Sequence, residues 1–191
     1  MSNLVQARLT VPEAAYIVGV ECKLIDREID AKIITGSGAE RRLHGADLFY
    51  LAAIKDVRHQ LAPALRKVLR REITSAANAG RREARYHHFA FGLNELRDEL
   101  LKGFEQLEQA TGEFIEAKPD VLGGEPVIKG TRIAARHVAD LASQGVSTEE
   151  IADDLDLSAE QIKAALVYAR THPKRGRPPA RRGRTVHVPA V

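Results

Sequence analysis

The sequence predicts a mainly α-helical fold with short β-hairpins, and three observations carry that expectation. Leu, Ile, Val and Ala recur at helical spacing around residues 14–18, 61–73, 96–107 and 162–169. Several of these stretches open on a residue whose hydroxyl suits a helix N-cap, namely Thr10, Ser147 and Ser158. Short apolar runs elsewhere flank glycine turns, Gly36-Ser37-Gly38 and Gly123-Gly124. Aromatic residues make up only 5% of the chain and Trp is absent, so the core must rest on aliphatic side chains packed from small helical units.

The first unit spans residues 8–54. Thr10 caps a helix that Pro12 and Glu13 help to start, Ala14, Ala15, Ile17 and Val18 form its apolar stripe, and Gly19 ends it. A second helix is expected from Glu21 to Asp30, with Leu24, Ile25 and Ile29 inward. Residues 32–35 and 41–43 flank Gly36-Ser37-Gly38 as a small β-hairpin, and helical spacing resumes from Ala46 through Leu48, Leu51, Ala52 and Ile54. Helix, turn, helix, hairpin, helix is the order of a winged helix-turn-helix. The strings LTVPEAAYIVGV, LIDREID and RRLHGADLFYLAAI resemble the MerR and excisionase-like DNA-binding domains. The resemblance implies that the helix from Glu21, with Lys23 and Arg27, enters the major groove and that Arg41 and Arg42 on the wing meet phosphates. The same helix also carries Glu21, Asp26, Glu28 and Asp30, more acid than a duplex-binding helix usually holds.

Residues 55–118 read as a linking or dimerisation region. Leu61, Leu65, Val68, Leu69 and Ile73 mark a basic amphipathic helix broken near Asn78-Ala79-Gly80. Residues 86–91 alternate like a strand, residues 94–109 return to helical spacing, and residues 114–117 suggest another short strand. Adjacent His87 and His88 on a strand would point to opposite faces, so they do not make a metal site.

From Pro119 to Pro173 the turns are closely spaced. Gly123-Gly124 turns the chain, residues 126–128 form a short strand, Lys129-Gly130 turns it again, and Ile133 leads into a helix that ends at Gly145. Ser147 or Thr148 caps a second helix with Glu149 and Glu150 in its first turn; Ser158 and Gln161 make a capping box for a third, which Pro173 stops. Three short helices so spaced form a tri-helical helix-turn-helix domain. The strings PDVLGGEPVIKGTRI and GVSTEEIADDLDLSAEQIKAALVYA closely resemble the domain-of-unknown-function 433 family, over nearly that family's whole length. The resemblance implies a VapB-like antitoxin paired with a PIN-like ribonuclease toxin. This chain adds the N-terminal unit and a C-terminal tail to that domain. Glu149, Glu150, Asp153, Asp154, Asp156 and Glu160 make the second and third helices acidic, so protein contact rather than DNA is expected there. Lys129, Thr131 and Arg132 beside the glycine turn are the better local candidates for nucleic acid.

The tail, residues 174–191, carries Lys174, Arg175, Arg177, Arg181, Arg182 and Arg184 among Gly and Pro. Three roles stay open: solubilising the chain, lying along DNA phosphates, or wrapping the toxin, where arginine forks would pair with the carboxylates that hold its Mg²⁺. Residues 185–188 alternate like a strand able to join a partner's sheet edge.

Bulk properties narrow the function classes. Net charge is only +3, yet residues 55–85 hold nine Lys/Arg against three acids, and residues 120–160 hold nine acids against three bases. Such blocks point to separate partners for separate segments. Cys22 is the only cysteine, which excludes an intrachain disulfide and a cysteine-based zinc site. No signal-peptide pattern opens the chain and no run is long enough to span a bilayer, so a cytoplasmic location is expected. No phosphate loop, nucleophile–base arrangement or metal-ligand spacing points to catalysis, and no cofactor is expected. The expectation is a non-enzymatic, homodimeric antitoxin that neutralises a ribonuclease and represses its own promoter. The alternative is a stand-alone DNA-binding regulator without a toxin.

Overall fold

Thr10 starts the first helix as its sequence suggests. Its hydroxyl accepts the Glu13 amide at 3.4 Å while Glu13 Oε2 accepts the Thr10 amide at 2.7 Å, a reciprocal box that satisfies two donors at the helix start. The computed structural model describes residues 4–36 and 41–173. In chain order these form β1 (Arg8–Leu9), α1 (Val11–Val18), α2 (Cys22–Asp30), β2 (Leu43–His44), α3 (Gly45–Ile54) and α4 (Pro63–Asn78). There follow β3 (Glu83–Tyr86), β4 (Phe89–Gly92), α5 (Leu93–Glu113), β5 (Ile115–Glu116), β6 (Val127–Ile128), α6 (Ala135–Ser143), α7 (Thr148–Leu155) and α8 (Ala159–Thr171). The protein is mainly helical, with small two-stranded antiparallel sheets.

Two strand expectations change. Residues 32–35 form a turn and bend, not a strand. Leu43–His44 instead pairs with Arg8–Leu9 from before the first helix. The reason is burial: Leu9 and Leu43 face each other across that pair and are both in the core, with Leu43 fully buried. Residues 86–91 are a tight hairpin and not one strand. Tyr86 pairs with Phe89, and His87 takes the left-handed backbone (φ 50°) that a two-residue turn requires.

The large core gathers α1 to α5, with Phe49, Tyr50, Leu51, Ile25, Leu69, Ile73 and Leu100 buried together. The helix α4, the β3–β4 hairpin and α5 therefore share the core of the first unit. A smaller core holds Ile115, Ile128, Val138, Ile151, Leu157 and Ile162. The helix α8 belongs to both cores. Ile162 and Ala165 face the small one, while Ala164 and Val167, on another face of the same helix, join the large one against α1 and α5.

The Ser158–Gln161 box forms as expected, and at α7 Ser147 rather than Thr148 is the cap. Ser147 accepts the Glu150 amide and Ser158 the Gln161 amide, each at 3.2 Å. No helix among the described residues is long and apolar enough to cross a membrane.

Candidate nucleic-acid interface

The helix α2 presents two kinds of face. Ile25 and Glu28 are fully buried, whereas Glu21, Lys23 and Arg27 are exposed. Lys23 and Arg27, one helical turn apart, line an open groove of about 350 Å³ together with Val20, Glu21, Leu24 and Arg58. Three cations against one carboxylate make this groove attractive to an anion. It contains two of the residues singled out from the sequence and one that sequence reasoning missed.

Arg58 is held from below. Its Nε donates to Glu28 Oε1, to which Arg66 Nη1 also donates, while the Tyr50 hydroxyl donates to Glu28 Oε2 at 2.8 Å. Glu28, counted from the sequence among the acids opposing DNA, is thus wholly inside the protein and offers no charge to a duplex. Burial pushes the Tyr50 hydroxyl pKa well above its ordinary value, helped by the hydrogen bond to Glu28 and its charge, so Tyr50 remains a donor. A signal for Glu28 existed in the sequence: it sits on the apolar stripe of Leu24, Ile25 and Ile29, where a carboxylate needs buried partners. Nothing local to the sequence identifies Arg58 and Arg66 as those partners, because they lie 30 and 38 residues away.

The other candidates lie elsewhere. Arg41 sits 3.8 Å from Asp26 and 3.7 Å from Asp30, drawn to the acidic flank of α2 rather than standing alone on a wing. Arg42 is exposed just before β2. Lys129 and Arg132 are exposed between β6 and α6, outside the α2 groove. Thr131 is engaged in the turn itself: its hydroxyl donates to the Ile128 carbonyl at 2.8 Å and accepts the Ile133 amide at 3.0 Å. Beside this turn, Glu116 is held below the usual carboxylate range, chiefly by Lys118 at 2.9 Å and then by the Gly130 amide. Lys174, Arg175, Arg177, Arg181, Arg182 and Arg184 lie outside the described residues.

The point where the chain enters that tail is nevertheless defined. Arg136 Nη2 donates to the His172 carbonyl at 2.9 Å, and the His172 ring stacks on Tyr168 at 4.2 Å. Two residues before His172, the Arg170 guanidinium lies 5.6 Å from the Tyr16 ring centroid. It also opposes the rise in the Cys22 pKa, which burial and then Asp26 produce at the start of α2. The end of α8 therefore lies beside α1.

On α7 and the start of α8, Glu149, Glu150, Asp153, Asp154, Asp156 and Glu160 are all exposed. Among the described residues no group of three or more His, Cys, Asp or Glu side chains could hold a metal ion.

The fold and this surface define a mainly helical protein with a basic groove along α2 and an acidic surface on α7 and the start of α8. Residues 115–169 match the family described as a protein of unknown function, DUF433. A stretch of 90 residues is 37% identical to the uncharacterized protein y4eO of Sinorhizobium fredii, covering 47% of this chain. The chain spans 37% of that relative's length. The crystal structure of Rv2018 from Mycobacterium tuberculosis aligns over 84% of this chain and all of its own, at 15% identity and a TM-score of 0.32.

Proposed function

We propose that this protein is the antitoxin of a type II toxin–antitoxin pair: a non-enzymatic, homodimeric repressor that binds operator DNA and a PIN-like ribonuclease. The observation that carries the reading is the partition of charge. The groove of Lys23, Arg27 and Arg58 suits a phosphate backbone, whereas the acidic α7–α8 surface repels one and suits a basic protein face. The burial of α8 adds to this. With Ala164 and Val167 packed against the large core and Ile162 and Ala165 against the small one, α8 exposes only Ala159, Glu160, Lys163 and Arg170, so the acidic surface lies chiefly on α7 and the turn that follows it. DNA contact is accordingly assigned to the helix-turn-helix reading of residues 8–54 extended to Arg58, and the tri-helical unit to protein contact.

The test is co-expression with the product of the adjacent gene, scoring growth and co-purification. Restored growth with a stable complex supports the antitoxin; absence of toxicity together with absence of a complex removes it. One observation favours the second reading, a stand-alone regulator. The last helix before the arginine-rich tail ends beside α1, the partner helix of α2, which suits an arm that adds to the DNA contact instead of wrapping a nuclease. Deleting residues 174–191 separates the roles: loss of DNA affinity with the toxin complex intact places the tail on DNA, and the reverse places it on the toxin.

A further inference from the structure

We propose that Arg58 is a fixed phosphate contact for duplex DNA and that buried Glu28 is the residue that positions it. The inference rests on the DNA-binding reading above and adds to it a residue from outside the helix pair. Arg58 belongs to the 3-10 turn Arg58–Gln60 that follows α3, yet it lines the α2 groove with Lys23 and Arg27. Its side chain is 19% exposed and Glu28 is wholly buried. A lysine or arginine on a free surface loses rotamer entropy when it grips an anion. With Nε committed to Glu28, Arg58 has already lost that freedom, so each contact it makes with a phosphate is stronger than that of a mobile cation.

The charge balance allows the second role. Glu28 carries one negative charge and faces two guanidinium groups, those of Arg58 and Arg66, with Tyr50 donating as a neutral hydroxyl. One positive charge is left uncompensated by this cluster, and it is directed to the groove through Arg58, because Arg66 is buried. Here a phosphate on the groove would complete the balance.

The experiment measures binding to a duplex of about 30 base pairs taken from upstream of the protein's own gene, by fluorescence anisotropy across a salt series. Each phosphate neutralised contributes about −0.9 to the slope of log affinity against log salt. Arg58→Gln and Arg58→Lys are both expected to flatten that slope by about one contact, as Lys23→Gln and Arg27→Gln do. The lysine variant keeps an ion pair with Glu28 and so preserves the fold, but it lacks the second edge of the guanidinium, which in Arg58 stays free for a phosphate while Nε is held by Glu28. Glu28→Gln, checked for folding by circular dichroism, is expected to lower the affinity extrapolated to about 1 M salt about tenfold, where the positive charge the substitution adds no longer contributes, since Arg58 keeps its charge and loses its anchor. Tyr50→Phe, which loosens the cluster without touching Arg58, is expected to leave the slope unchanged. A wild-type slope for both Arg58 variants, or wild-type extrapolated affinity for folded Glu28→Gln, overturns the proposal while leaving DNA binding through Lys23 and Arg27 intact. Failure of the wild-type protein to bind the duplex in a salt-dependent way sinks the DNA reading itself.

Discussion

The Tyr50 hydroxyl donates to Glu28 Oε2 across 2.8 Å of fully buried interior, joining α2 to α3 where neither residue meets solvent. Tyr50→Phe removes the donor and leaves that carboxylate oxygen short of a partner. The expected loss is about 1–3 kcal/mol, the usual cost of an unsatisfied buried polar group. Urea titration should show a lower midpoint with an unchanged slope; an unchanged midpoint would mean that water or a neighbour replaces the phenol.

Gly45, first residue of α3, lies against the Leu4 carbonyl so closely that a Cβ would fall 1.6 Å from that oxygen. Gly45→Ala must displace either the N-terminal turn or α3, and both are rooted in the large core. A loss of at least about 3 kcal/mol is expected, beyond ordinary overpacking because the obstacle is backbone. Thermal melting checks it, and a variant as stable as the wild type would show that residues 4–6 shift freely.

The Glu150 carboxylate, which closes the α7 capping box, is held below its ordinary value of 4.5 first by the Ser147 amide and then by the Ser147 hydroxyl. A carboxyl whose folded pKa is depressed contributes its stability above the unfolded value and loses it as pH falls through the folded one. The difference in melting temperature between wild type and Glu150→Gln should therefore be full at pH 7 and shrink as pH falls below about 4.5. A difference that stays constant down to pH 3 would show that the box contributes nothing through its charge.

Asp153 and Asp154 are exposed on α7, and the reading above places them on the partner interface. Replacing both with Lys should leave stability within about 0.5 kcal/mol per site, as expected for surface changes. It should abolish co-purification with the toxin and leave duplex binding at least as strong as before. A complex that survives the reversal would move the partner contact off this face.

Where a signal is local, the sequence reads true. Thr10 caps its helix and Ser158 with Gln161 forms its box as expected; at α7 Ser147 rather than Thr148 is the cap, and Glu13 and Glu150, expected only as first-turn acids, close boxes of their own within a single turn. Lys23 and Arg27 share a groove for the same reason: helical spacing alone puts them on one face. The strands fared differently. Residues 41–43 carry the right pattern for pairing, yet pattern says nothing about which distant strand lies alongside, and β2 found β1 rather than its nearer neighbour.

Although it did not give the end of α5, at Glu113 rather than Gln109, the amino-acid order by itself determined the mainly helical class, the capped helix starts, and the division of charge between the basic middle, the acidic α7–α8 surface and the arginine-rich tail. Those properties follow from nearest neighbours along the chain and from side-chain chemistry. Only the tertiary structure decided that Glu28 is an internal anchor rather than a surface acid, that Arg58 joins the α2 groove, and that α8 is shared between two cores. Each of these depends on residues 30 or more positions apart, such as Glu28 with Arg58, being brought together by packing of apolar surface. That packing is non-directional and leaves no local mark in the sequence.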